Sequence, residues 1–165
     1  MEKKLPNSTK VVVIGGGVVG CSVAYHLAKF GWKDTILLER DQLTSGTTWQ
    51  AAGLVSQLGP SAAITKIRKY TLDLYKELEK EVDHSAGLRL NGALSIAQNK
   101  GRWQELQRKA TTAQLYDVDV RILDKDQIKK DYPIINTENV LGGILMPGDG
   151  AADPSGVTYM LAKAA

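Results

Sequence analysis

The chain of 165 residues carries 21 basic and 18 acidic residues, a net charge of +3, and 43% hydrophobic residues. That is enough apolar material for one ordinary core, and neither charge sign forms the long run that marks a nucleic-acid or membrane surface. No apolar stretch reaches the roughly 20 uninterrupted residues that span a bilayer, and the lone Cys21 excludes an internal disulfide, which suits a reducing compartment.

Val11–Gly15 is a continuous apolar run, the pattern of a central parallel strand covered on both faces. Gly15, Gly17 and Gly20 follow in GxGxxG spacing, and Val18–Phe30 then reads as a helix with Gly20, Ala24, Leu27 and Ala28 on one face. Gly31 supplies its stop. Thr35–Glu39 is the second strand, and Glu39 ends it about 20 residues beyond the glycines, where a ribose-binding acid belongs. In this setting each glycine has a task. Gly15 allows the tight exit from the strand, Gly17 lets a pyrophosphate approach the backbone, and Gly20 lets helix and strand pack closely. The N–H groups opened at Val18 and Val19 face the phosphates with the positive end of the helix dipole. Glu39 would accept from the ribose hydroxyls, and its charge disfavours the 2′-phosphate of NADP. Lys3, Lys4 and Gly20-Cys21 superficially imitate a secretory leader, but Pro6, Asn7 and Ser8 delay the apolar run and a second strand follows in phase.

Arg40–Pro60 is rich in Ser, Thr and Gly and shows no strand or helix period; a loop of that length in a compact domain is expected to have work to do. Ile64, Ile67, Thr71, Leu74, Leu78 and Val82 then mark an amphipathic helix whose solvated face is Lys66, Arg68, Lys69, Lys76, Glu77 and Lys80. Leu88–Leu90 and Ala93–Ala97 read as short extended segments joined through the turn dipeptide Asn91-Gly92. A helix follows on Trp103, Leu106, Ala110 and Ala113. Asp124 and Gln127 form a capping box for a short helix that Tyr132-Pro133 ends. Val140–Met146 is a further strand, and Asp153-Pro154 opens a helix that runs to Ala165 without a stop signal, which predicts that the domain is truncated.

Few side chains look catalytic. His26 lies within the first helix and His84 after an acidic helix end, both positions where packing or dipole compensation accounts for them. Asp149 sits beside turn glycines and Asp153 at a helix cap. No His, Cys or carboxylate spacing suits a metal, and no Ser-His-Asp set can be assembled.

Gly15-Gly16-Gly17-Val18-Val19-Gly20, Ala24-Tyr25-His26-Leu27-Ala28, Leu37-Leu38-Glu39-Arg40, Leu43-Thr44-Ser45-Gly46-Thr47-Thr48-Trp49 and Pro147-Gly148-Asp149-Gly150 with Asp153-Pro154 together resemble the flavin-dependent oxidoreductases of the D-amino-acid oxidase and glycine oxidase group. Within it the chain resembles the dimethylglycine and sarcosine dehydrogenases. The resemblance implies an α/β fold: a Rossmann-like FAD-binding βαβ unit and flavin loop over residues 10–60, and over 61–165 the start of an α+β substrate-domain insertion. It selects FAD over NAD. By position it assigns Ser45, Gly46, Thr47 and Thr48 as hydroxyl and backbone donors to the cofactor, with Arg40, Gln50 and Gly53 beside them. Relatives with covalent flavin have histidine immediately after the tryptophan; here Gln50 follows Trp49, so the FAD is expected to be noncovalent. The implied reaction is oxidation of a small N-methyl amine by hydride transfer to flavin, with tetrahydrofolate as an acceptor in a further domain. A regulatory relative associated with pyruvate dehydrogenase phosphatase offers a second reading, a binding scaffold, and an inactive fragment is a third. The short polar start lacks a transit-peptide pattern, so the expected location is cytoplasmic, with the mitochondrial matrix as alternative.

Overall fold

The computed structural model describes residues 6–165; the start of the polar segment, residues 1–5, lies outside them. The order of elements is β1 (Val11–Ile14), α1 (Val18–Lys29), β2 (Thr35–Leu38), a 3₁₀ turn (Thr48–Gln50), β3 (Leu54–Val55), α2 (Ala62–Glu81), β4 (Ala93–Ala97), α3 (Lys100–Gln114), β5 (Arg121–Leu123), α4 (Lys125–Asp131), β6 (Gly142–Met146), β7 (Gly150–Ala151) and α5 (Pro154–Ala164). They form two compact units. The first comprises residues up to Gly53 with Leu74–Leu88 and Ala152–Ala165; the second comprises Leu54–Asp73 and Arg89–Ala151.

In the first unit β1 and β2 pair in parallel, Val11 opposite Thr35 and Ile14 opposite Leu38. Parallel neighbours need a crossover, which α1 provides. Cys21 and Tyr25 are the buried positions of α1, one residue along from the expected line of Gly20 and Ala24. The helix stops as read: Gly31 takes a φ of +85° and its N–H donates to the Ala28 carbonyl at 2.9 Å, a conformation that glycine adopts without steric cost. α5 packs on α1 in the same unit and buries Val157, Met160 and Leu161. Asp153 caps it, accepting from the N–H groups of Ser155 at 3.2 Å and Gly156 at 3.0 Å. Double-sided burial of β1 is not observed. Val12 and Ile14 remain 48% and 85% exposed, because among the described residues only one face of this strand pair is covered.

The second unit holds an antiparallel sheet in the order β4-β6-β5. Central β6 is almost wholly buried. One cluster joins Ala97, Leu106, Ala110, Ala113, Val118, Ile144 and Met146 across the sheet and α3; a second joins Leu123, Ile128 and Val140. The capping box of α4 is present, Gln127 N–H donating to Asp124 at 2.8 Å and Asp124 N–H to the Gln127 side chain at 2.9 Å. Several expectations need correction. Residues 40–60 are not structureless: they contain the 3₁₀ turn and β3, which pairs with β7, elements too short to show a period. Leu88–Leu90 and Ala93–Ala97 do not pair with each other. β4 lies against β6, while Arg89 bridges Ala151. On α2 the expected Leu74 and Leu78 are buried, but so are Thr65 and Leu72, whereas the expected Ile67 is 59% exposed. Nor is its basic face wholly solvated. The Arg68 guanidinium donates to Ser56 Oγ at 3.0 Å and the Leu58 carbonyl at 2.7 Å, and Lys69 Nζ donates to the Tyr116 carbonyl at 2.5 Å.

Asp149 is structural, as its sequence setting suggests. It is 4% exposed, and its Oδ1 accepts from the Gln57 N–H at 2.9 Å, tying the β3 segment to the turn after β6. Burial raises its carboxyl above the ordinary 3.8; the Gln57 N–H, Lys109 and Arg68 pull in the opposite direction. Ionising an acid whose folded pKa is raised costs stability as pH climbs through that value. Asp149→Ala should therefore cost about 1–3 kcal/mol by orphaning the Gln57 N–H. Asp149→Asn keeps an acceptor and removes the charge, so it should lie well above the alanine variant and lack the wild type's loss of stability with rising pH. Thermal unfolding of the three proteins across the acidic range checks both statements.

Candidate cofactor site

The glycine-rich turn leaves β1 at Gly15, whose φ is +103° and whose N–H donates to the Leu38 carbonyl at 2.8 Å. Gly17 is the N-cap residue of α1 in extended conformation and has no side chain with which to cap. Val18, Val19 and Gly20 form the first helical turn. A Cβ on Gly20 would run into the Gly15 carbonyl oxygen, and its carbonyl carbon would lie at 3.1 Å. Backbone faces backbone there, so no side-chain adjustment can make room.

Glu39 Oε2 accepts from the Gly16 N–H at 2.6 Å and Oε1 from the Asp41 N–H at 3.1 Å. These backbone donors, Gly16 first, hold its carboxyl below the usual 4.5. The group is an anion at neutral pH, the form that a ribose-accepting acid requires. A cavity of about 370 Å³ is lined by Ile14, Gly15, Leu38, Glu39, Arg40, Asp41, Ser45 and Gly46. Five predicted residues, Gly15, Glu39, Arg40, Ser45 and Gly46, thus converge on one space at the carboxyl ends of the parallel strands, the place where open α/β sheets bind ligands. A larger cavity of about 780 Å³ is lined by Cys21, Ala24, Ala28, Leu37, Leu43 and Ala162 among others and includes none of the predicted cofactor residues.

Thr47 and Thr48 continue the loop into the 3₁₀ turn, where Trp49 is 60% exposed and Gln50 is also exposed. Gly53 takes a φ of +71° and its carbonyl accepts from the Ala152 N–H at 2.8 Å. A side chain there would strike the Ala152 carbonyl oxygen. Neither Gln50 nor Gly53 lines the cavity beside Glu39. Cys21 is fully buried with its thiol pushed up by burial, and His26 Nδ1 lies 2.7 Å from the Ser22 carbonyl oxygen; both are packing residues.

Two participants escaped the sequence reading. Gly16 holds Glu39 through its N–H and also accepts, through its carbonyl, from the Thr44 N–H at 3.0 Å. The middle glycine of the triplet was the available signal. Thr44 is buried with a φ of +73°, a left-handed conformation that costs a β-branched residue strain, and its Oγ1 accepts from Ser155 Oγ at 3.3 Å. Residue type argues against that conformation, so nothing in the sequence announces it.

An ionised acid, the glycine turn at Gly15 and the polar loop at Ser45 and Gly46 share one cavity, which the helix-start residues Gly17 to Gly20 and Thr47 and Thr48 do not line. Residues 10–165 match the family described as FAD dependent oxidoreductase. The chain is 42% identical over 165 residues to human mitochondrial sarcosine dehydrogenase, covering 99% of this chain and 18% of that protein. It is 37% identical over 164 residues to human mitochondrial dimethylglycine dehydrogenase, covering 99% and 19%. It is 34% identical over 161 residues to the mouse mitochondrial pyruvate dehydrogenase phosphatase regulatory subunit, covering 98% and 18%. The chain therefore spans about a fifth of the length of these curated relatives. Among solved structures it superposes on L-proline dehydrogenase from P. horikoshii with a TM-score of 0.87 and 27% identity, over 97% of this chain and 42% of that one. With turn, acid and loop lining one cavity beside the βαβ unit, the family match over residues 10–165 shows that the chain belongs to the FAD dependent oxidoreductase family.

Proposed function

We propose that this chain carries the FAD-binding part of an enzyme that oxidises a small N-methylated amine of the sarcosine or dimethylglycine kind. The observation that carries the reading is the 42% identity to sarcosine dehydrogenase along 99% of the chain, to which the ionised Glu39 beside the glycine turn adds chemical support. Gly15, Gly17, Val18, Val19 and Gly20 give bare surface to the pyrophosphate, and Gly17, Val19 and Gly20 would donate backbone N–H groups to it, those of Gly15 and Val18 being engaged by the Leu38 carbonyl and Thr48 Oγ1. Glu39 takes the ribose hydroxyls, and Arg40, Ser45, Gly46 and Thr47 supply donors along the cofactor. Thr48, Gln50 and Gly53 carry the chain on towards the flavin. Bound FAD would supply the electron sink for the hydride leaving the N-methyl carbon. The iminium product is then hydrolysed or passed to tetrahydrofolate in a further domain. The names of both human dehydrogenases place them in mitochondria, which favours the matrix over the cytoplasm for this chain. Among the described residues no helix is long and apolar enough to cross a membrane.

Sarcosine or dimethylglycine added anaerobically to the purified flavoprotein should bleach the oxidised-flavin absorbance. A flavin that stays oxidised with both amines would instead favour a non-catalytic scaffold like the phosphatase regulatory subunit, a reading that Gln50 supports.

Gln50 also sets the mode of attachment. An amide nitrogen is not nucleophilic, because its lone pair is delocalised into the carbonyl, so it cannot bond to the flavin methyl carbon as imidazole does. Denatured protein should have the mass of the polypeptide alone. Gln50→His should acquire a flavin increment and a higher reduction potential. Flavin retained by denatured wild-type protein would contradict noncovalent binding.

A further inference from the structure

We propose that Thr48 is a positioning residue: its hydroxyl caps helix α1 from across the loop, holds that loop closed on the glycine turn, and is itself a reason why position 17 must be glycine. Thr48 Oγ1 accepts from the Val18 N–H at 3.0 Å, from a residue 30 positions away in sequence. Val18 is the first residue of α1, and the preceding Gly17 has no side chain with which to satisfy it. The four N–H groups that open a helix lack intrahelical partners and normally take a local Ser, Thr, Asp or Asn. Here that local cap is missing and the loop supplies it.

The same oxygen occupies the space beside Gly17. A Cβ at residue 17 would lie 2.9 Å from Thr48 Oγ1, the one neighbour within 4 Å. The requirement for glycine there arises within the protein, before any phosphate arrives. At its other end the loop is tied by the Thr44 N–H, which donates to the Gly16 carbonyl at 3.0 Å. Gly16 O and Val18 N–H therefore grip Thr44 and Thr48, and Ser45, Gly46 and Thr47 are held between two fixed points. A hydroxyl that accepts from Val18 keeps its own proton to donate, so the cap leaves Thr48 able to face an anion.

This inference shares the FAD reading for its effect on affinity, but the cap itself exists without cofactor, and the test separates the two. FAD affinity and thermal unfolding of the full chain stripped of flavin are measured for wild type, Thr48→Ala, Thr48→Ser, Gly17→Ala and the Gly17→Ala/Thr48→Ala double variant. Loss of a helix cap should lower the flavin-free melting temperature of Thr48→Ala by about 2–4 °C and weaken FAD binding by about tenfold. Thr48→Ser should stay within about twofold of wild type, since it retains the oxygen. Gly17→Ala should harm the protein less when Thr48 is already alanine, so the two losses should combine to less than their product. Limited proteolysis should cut the loop faster in Thr48→Ala. Equal melting of flavin-free wild type and Thr48→Ala, a serine variant as damaged as alanine, or fully multiplicative losses would overturn the proposal. Failure of wild type to bind FAD would sink the functional reading while leaving the flavin-free comparisons to decide the cap.

Discussion

Gly20→Ala should destabilise the protein by about 3 kcal/mol, the upper end of what overpacking a well-filled site costs, and lower its melting temperature by about 6–12 °C. The added methyl would meet the carbonyl oxygen of Gly15 and come within 3.1 Å of its carbonyl carbon. Relief requires α1 to move off β1, which opens the turn that presents Val18 and Val19, so FAD binding should be lost with the stability. Gly46→Ala is the control for stability. A Cβ there meets nothing within 4 Å and the residue has no positive φ, so the change should stay within about 0.5 kcal/mol. Gly15→Ala should fall between them. Its space is open but its φ is +103°, a strain of about 1–2 kcal/mol for an L residue. Equal melting of the Gly20 and Gly46 variants would refute the close crossing of α1 and β1.

The second large effect is expected at Glu39. Its two oxygens each accept one backbone N–H, from Gly16 and from Asp41, and the proposed ribose contact would use the same carboxylate. Glu39→Gln replaces one acceptor with a donor, which must face an N–H group. FAD affinity should fall by at least about tenfold, the loss that follows when one bond to a charged group is removed, and the turn should loosen even without cofactor. The pH dependence follows from the direction of the shift. The folded carboxyl titrates below its usual 4.5 because backbone donors favour the anion. Its stabilising contribution is present above the unfolded value and disappears as pH falls through the depressed folded value. The stability difference between wild type and Glu39→Gln should hold across neutral pH and shrink only in acid. A difference that vanished near neutrality would mean that Glu39 does not hold the turn as an anion.

The parts of the fold that could be read from the chain are those in which a local pattern has one low-energy outcome. β1, α1 and β2 followed from an apolar run, a glycine triplet and an acid at the right distance. The α4 box and the Asp153 cap followed from side chains that satisfy nearby N–H groups. Gly31 followed from a helix that needed a stop. Misread elements depend on distant partners. β3 and β7 have two residues each and exist only as a pair; β4 looked outward to β6 instead of back across Asn91-Gly92; the buried line of α2 kept Leu74 and Leu78 but took Thr65 and Leu72 in place of Ile64 and Ile67, because burial depends on what lies opposite and periodicity reports only spacing.

The site divides in the same way. That a glycine turn followed by an acid suits a dinucleotide is local chemistry, since N–H groups at a helix start and a carboxylate after a strand have the same meaning wherever they occur together, whereas the expectation for the Ser-Gly-Thr-Thr loop came from the family resemblance. Which partners each residue chooses was settled by folding. Gly16 holds Glu39 through its N–H, Thr48 caps a helix that begins at Val18, 30 residues before it, and Thr44 takes a left-handed conformation that its branched side chain disfavours. Hydrogen bonds of long sequence separation and strained backbone are consequences of the whole packing, which compensates their local cost, so only the assembled tertiary structure could decide them.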